Sequence, residues 1–167
     1  MSPTDNVVAA LLTQSAVAPD HAALAYRDGA AFATVNTTSF VAEVMDVAAG
    51  LVSLGLSPGS RISLFSATRW EFTVIEYAIW ASGCAGVTIY ETSSADQVEW
   101  IVGDSGTKVI ICETAAHRAI FDSVAERVPE CSTVFVIEDG GLEALKALAS
   151  PEARAEVDRR IAVSYTH

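Results

Sequence analysis

Four short, largely apolar runs, each set off from the next by a stretch with helical spacing, constrain this chain more than any other feature. They lie at residues 62–66, 85–90, 109–112 and 134–137, and the last two are unbroken by any polar side chain. A strand without polar alternation belongs in a sheet covered on both faces. Strands joined through helices return by right-handed crossovers and so lie parallel. The expected fold class is therefore α/β, a mostly parallel sheet with helices on both faces.

The segments between the runs carry their own punctuation. Val7, Val8, Leu11 and Leu12 are spaced as a short opening helix. Residues 22–26 and 31–35 flank Arg27-Asp28-Gly29, a hairpin turn. Phe40, Val41, Val44, Val47, Ala48, Leu51 and Val52 share one helical face, Gly55 closes that helix, and Ser57-Pro58-Gly59 turns the chain. Thr68-Arg69-Trp70-Glu71 has the hydroxyl-to-carboxylate spacing of a capping box, so a helix is expected from about Arg69 to Ser82, stopped by Gly83. That helix is apolar nearly all round and should be buried on more than one side. Ser94-Ala95-Asp96-Gln97 is a second capping box, and Gly103-Asp104-Ser105-Gly106 is expected as a turn. Thr114 should cap a helix with Ile120, Phe121, Val124 and Val128 on one face. Leu142, Leu145 and Leu148 mark another helix, and Ser150-Pro151 opens a charged last one. Residues 1–167 are expected to form a single α/β subdomain with a helical tail at about 151–163; the candidate boundaries are 139–141 and Ser150.

Composition narrows the function classes. Apolar residues make up 51% of 167, and mean hydropathy is +0.35, values that suit a packed core and exclude a disordered tail. Twenty-one acids against 10 bases give a net charge of -11, which repels phosphate backbones and anionic headgroups, so no nucleic-acid partner is expected. The apolar region 74–90 is interrupted by Glu76 and by Ser82-Gly83-Cys84, too soon for an integral membrane segment. The first residues lack the basic stretch of a secretory signal. Cys84, Cys112 and Cys131 lack CxxC spacing and suit buried free thiols in a reducing, cytoplasmic compartment. Asn36-Thr37-Thr38 matches a glycosylation sequon with no other sign of secretion beside it.

The motifs with chemical overtones mostly read as structure. Gly103-Asp104-Ser105-Gly106 spells part of a serine-protease motif but stands where a helix ends before a strand. Gly106-Thr107-Lys108 hints at a phosphate loop, yet a strand follows it where the anion site needs a helix N-terminus. His21, His117 and His167 have no metal-ligand spacing. Glu71, Glu76, Glu91, Asp96 and Glu99 alternate with apolar positions as a solvated face does. Arg69 follows a strand end, where open α/β sheets bind ligands; it is either a phosphate contact or one half of an ion pair.

Leu54-Gly55-Leu56, Pro58-Gly59-Ser60-Arg61-Ile62 and Ser66-Ala67-Thr68-Arg69-Trp70-Glu71-Phe72 together resemble the N-terminal signature of AMP-forming acyl-CoA synthetases. Gly83, Tyr90-Glu91-Thr92-Ser93-Ser94-Ala95-Asp96-Gln97 and Asp104-Ser105 resemble the bacterial long-chain fatty-acid–CoA ligases among them. The resemblance runs over residues 22–137. It departs at Ser60, where aspartate is usual, at Phe72, where tryptophan is common, and at Thr88, which replaces a proline; all three are scaffold positions.

The resemblance implies a parent enzyme that uses ATP and Mg²⁺ to make an acyl-adenylate and then passes the acyl group to coenzyme A. The family's phosphate loop, acidic metal motif and C-terminal lysine have no matching positions in residues 1–167; Tyr165-Thr166 echoes the loop's start, but His167 does not continue it. No catalytic, cofactor-binding or metal-binding residue is therefore expected here. The chain is expected to be the N-terminal portion of the ligase, inactive alone, with the remainder of the parent as its partner. The alternative is a non-catalytic α/β interaction module. In either case the helix at 70–82 could drive homo-oligomerisation through surface that the parent would cover. A flavodoxin-like nucleotide binder has no phosphate loop to support it.

Overall fold

The computed structural model describes residues 6–163. Its centre is a parallel sheet of β3 (Arg61–Phe65), β4 (Ala85–Ile89), β5 (Val109–Cys112) and β6 (Thr133–Val136), in the order β4-β3-β5-β6. Ile62 of β3 stands level with Gly86 on one side and Val109 on the other. Before the sheet come α1 (Val7–Val17) and an antiparallel hairpin of β1 (Ala22–Asp28) and β2 (Ala31–Asn36). Gly29 turns that hairpin with a positive φ of 60°.

Strand alternation divides the core between two faces. Ile62 and Leu64 of β3, with Val109 and Ile111 of β5, pack under α2 (Thr37–Ser53), α3 (Trp70–Ala81), α6 (Gly141–Ala147) and α7 (Pro151–Ala162). Phe65, Ile110 and Cys112 point the other way, under α4 (Ala95–Ser105) and α5 (Ala115–Asp122). The expected parallel α/β architecture with helices on both faces is present. So is the burial of α3 on several sides, with Val74, Ile75, Ala78, Ile79 and Ala81 fully enclosed.

Several local expectations shift. The first long helix starts at Thr37, before the apolar face begins at Phe40, because the Asn36 side chain caps it by accepting from the Ser39 amide at 2.8 Å. The Thr68–Glu71 capping box does not form: Arg69 occupies the N-cap position of α3 with no side-chain cap bond. The Glu71 carboxylate is taken by a two-pronged bond from the Arg69 guanidinium, a stronger contact than a neutral backbone amide provides. The Ser94–Gln97 box forms in full.

Gly103, Asp104 and Ser105 belong to the last turn of α4 and not to a separate turn. The Ser105 hydroxyl donates to the Val102 carbonyl at 3.2 Å, and only Gly106, at φ 64°, leaves the helix. Helix α5 ends at Asp122, where the Ser123 hydroxyl takes up the Ile120 carbonyl at 2.7 Å; Val124 and Val128 are buried beyond it, on either side of a short 3-10 turn. The last helix packs tightly: Ala153 and Val157 are buried, and Arg160 donates to the carbonyls of Leu56 at 3.0 Å and Ser82 at 2.7 Å.

Candidate functional site at the carboxyl edge of the sheet

Open α/β sheets bind ligands beyond the carboxyl ends of their strands. Here that edge gathers the loops after β3, β5 and β6. Strand β3 delivers Ser66, Ala67 and Arg69, β5 delivers Glu113, and β6 runs into a short turn carrying Glu138. Arg69 binds all three nearby carboxylates. Its Nε and Nη2 donate to Glu71 at 2.7 and 2.9 Å, and its Nη1 donates to Glu113 at 3.3 Å and Glu138 at 3.4 Å. Glu113 uses its second oxygen to accept from the Ala67 amide at 2.7 Å and the Ser66 hydroxyl at 3.3 Å.

Beside this cluster lies a cleft of about 650 Å³ lined by Tyr26, Arg27, Thr68, Arg69, Trp70 and Glu113, among others. Tyr26 from the hairpin stacks on Trp70 with ring centroids 5.5 Å apart, which joins the hairpin to α3. The Arg27 guanidinium lies over the Phe32 ring, 5.5 Å from its centroid.

The electrostatics favour a structural clamp. The bond to Glu71, ahead of the other carboxylates, raises the Arg69 pKa above its already high ordinary value, so this side chain is a permanent cation. Three carboxylates around one guanidinium leave a net negative cluster, which repels a phosphate. Of the two roles open to Arg69, the structure shows the ion pair. The cluster ties three strand-to-helix connections together at the edge where the fold would receive a ligand.

The other singled-out residues are scattered. His117 packs its ring on Phe65, with centroids 4.4 Å apart, and its Nε2 donates to the Glu91 carbonyl at 3.0 Å. It braces the β4–α4 loop against α5. His21 is exposed, and its carbonyl accepts from the Thr37 amide at 2.9 Å. His167 lies outside the described residues. Ser105 shares Thr107 with Ser63 in a hydroxyl chain of 2.8 and 2.7 Å, with Ser63 and Thr107 fully buried. Lys108 pairs with Glu130. Glu99 binds Arg127 at 2.7 Å.

All three cysteines are buried and unbridged. Burial pushes the thiols of Cys112 and Cys131 up to about 12 and raises that of Cys84 as well. These are inert thiols. Among the described residues no cluster of three or more His, Cys, Asp or Glu side chains could hold a metal ion, and no helix is long and apolar enough to cross a membrane.

Sequence reasoning singled out Arg69 but missed Glu113 and Glu138. The one available signal was position: each acid follows the end of an apolar run, as Arg69 does.

The AMP-binding enzyme family matches the chain over residues 11–165. The long-chain-fatty-acid–CoA ligase FadD15 of Mycobacterium bovis is 36% identical over 154 residues, which make up 92% of this chain and 25% of that protein. An uncharacterized protein of Mycobacterium tuberculosis is 35% identical over 94 residues, 56% of this chain and 54% of that protein. In fold, a long-chain-fatty-acid-CoA ligase (FadD1) from Archaeoglobus fulgidus has a TM-score of 0.79 at 16% identity, covering 89% of this chain and 31% of that one. The chain spans about a quarter of the length of the curated ligase it matches.

Proposed function

The chain belongs to the AMP-binding enzyme family, and from that premise we propose that it forms the amino-terminal α/β subdomain of a cytoplasmic long-chain fatty-acid–CoA ligase. The parent joins a fatty acid to ATP, releasing pyrophosphate and forming an acyl-adenylate. It then transfers the acyl group to coenzyme A and releases AMP. The observation that carries this reading is the pattern of coverage: 92% of this chain aligns with only 25% of a long-chain ligase.

Within that reading, residues 1–167 supply scaffold and no catalytic, cofactor-binding or metal-binding residue. The support for this reading is that Arg69 is not free to hold a phosphate of ATP. Arg69, the cation at the carboxyl edge, spends its donors on Glu71, Glu113 and Glu138, and the cluster is net negative. The subdomain's contribution is to hold that edge rigid for the remainder of the parent, which is its partner.

Reading the frame past codon 167 and assaying its full product tests the proposal. The expected result is an open frame that runs into a threonine- and glycine-rich loop, with palmitate-dependent ATP–pyrophosphate exchange in the product. A long product without that exchange, or a native stop at codon 167, overturns it.

One observation supports a second reading, a free-standing, non-catalytic α/β module. The uncharacterized mycobacterial relative has 54% of its length in a 94-residue match, so it is itself about the size of this chain. A native stop at codon 167, with an intact mass ending at His167, favours that module.

A further inference from the structure

Ser63 sits in the middle of β3, level with Ile110 of β5, and is the one polar side chain in a stretch buried from Ile62 to Phe65. By strand alternation it shares with Phe65 the face that α4 and α5 cover. Ser63 and Thr107 are both 0% exposed. Their hydroxyl oxygens lie 2.7 Å apart, Thr107 continues to Ser105 at 2.8 Å, and Ser105 ends on the Val102 carbonyl at 3.2 Å.

Each hydroxyl carries one proton, and the carbonyl carries none. Only one direction uses all three protons: Ser63 donates to Thr107, Thr107 to Ser105, and Ser105 to Val102. The reverse direction would leave the Ser63 proton buried without an acceptor. The chain of hydroxyls therefore runs one way, from the centre of the sheet to the last turn of α4.

Little else fixes β3 along β5. Val109–Cys112 is apolar throughout, as are Ile62, Leu64 and Phe65. Sliding β3 by two residues keeps each of these side chains on its own face. It also brings Arg61 or Phe65 to the place of Ser63, and the buried Thr107 loses its partner. Register decides what meets at the carboxyl edge. With Phe65 level with Cys112, the Glu113 amide donates to the Phe65 carbonyl at 2.9 Å, and the Glu113 carboxylate accepts from the Ala67 amide at 2.7 Å.

We propose that the Ser63–Thr107–Ser105 chain is a register lock, which selects the pairing of β3 on β5 that sets Glu113 against Ala67 and Arg69. Ser63 and Thr107 are thus positioning residues for the carboxyl-edge cluster. The lock lies within the core of this chain and does not depend on the activity of a parent enzyme.

Urea unfolding and amide exchange by NMR test this on the 167-residue chain. Thr107→Val strands the Ser63 proton and should raise the unfolding equilibrium constant at least about tenfold. Ser63→Ala leaves the Thr107 and Ser105 protons in place and should raise it far less. Adding Ser63→Ala to Thr107→Val removes the stranded proton, so the double variant should be more stable than Thr107→Val. Thr107→Ser keeps the hydroxyl and should keep the lock. In Ser63→Ala the Ala67 and Glu113 amides should speed up at least about tenfold more than those of β6, whereas a contact that only stabilises would speed all alike. If Thr107→Val does not fold, Ser63→Ala decides alone. Three results would overturn the proposal: Ser63→Ala more stable than the unsubstituted chain, a double variant no more stable than Thr107→Val, or Ala67 and Glu113 amides that speed up in Ser63→Ala no more than those of β6.

Discussion

Gly50 of α2 lies directly against the backbone of Leu145 in α6: a Cβ at Gly50 would sit 2.0 Å from the Leu145 carbonyl oxygen. The obstacle is backbone, so no side-chain rotation relieves it. Gly50→Ala must push α6 off α2, and the cost should be about 2–4 kcal/mol. For a chain of this size that is a fall in Tm of about 5–15 °C, measurable by thermal melting.

Arg160 holds α7 to the body of the fold. Its side chain is 9% exposed, and its Nη1 satisfies the Leu56 and Ser82 carbonyls while its Nε donates to Glu156 at 2.8 Å. Arg160→Ala leaves those carbonyls without their charged donor and should cost about 2–3 kcal/mol. Amide exchange should rise along Pro151–Ala162 before it rises in the sheet. Equal loosening of all elements would contradict this role.

Arg69→Met should destabilise by about 1–3 kcal/mol, because Glu71 and Glu113 are left side by side and largely buried. Arg69→Lys should recover less than half, since an ammonium cannot grip Glu71 with two parallel bonds. Adding Glu113→Gln to Arg69→Met should cost less than the sum of the single changes. Urea unfolding of the four proteins measures the coupling.

The cysteines set an alkaline limit. Burial holds Cys112 and Cys131 neutral up to about 12, while thiols in the unfolded chain ionise near ~8.5. The folded state therefore binds more protons across that window, so stability is complete below it and falls as pH rises through it. The urea midpoint should drop from about pH 8 to about pH 10.5, and the drop should shrink in Cys112→Ala/Cys131→Ala. Thiol reagents should label the native chain only as fast as it unfolds.

The helices and strands were legible wherever the signal was local. Ser94, Thr114 and Ser150 each accept from an amide three residues on, a pattern that sequence displays directly, whereas Asn36 does the same and reads in sequence only as part of a sequon. The Thr68–Glu71 box shows the weakness of the same pattern, because it does not reveal that Arg69 competes for the carboxylate. The clamp was hidden for another reason: Arg69 and Glu113 are 44 residues apart and meet only once β3 and β5 are neighbours. Strand order was equally invisible. Residues 85–90 read as a strand with no sign of their place in the sheet, and only the order β4-β3-β5-β6 puts them at an edge.

The central claim is that this chain carries the family's scaffold without its chemistry. Palmitate-dependent ATP–pyrophosphate exchange by the purified 167-residue protein tests it most directly. No exchange above the protein-free background is predicted, at any protein concentration. Exchange that scales with the protein and persists through further purification would contradict it.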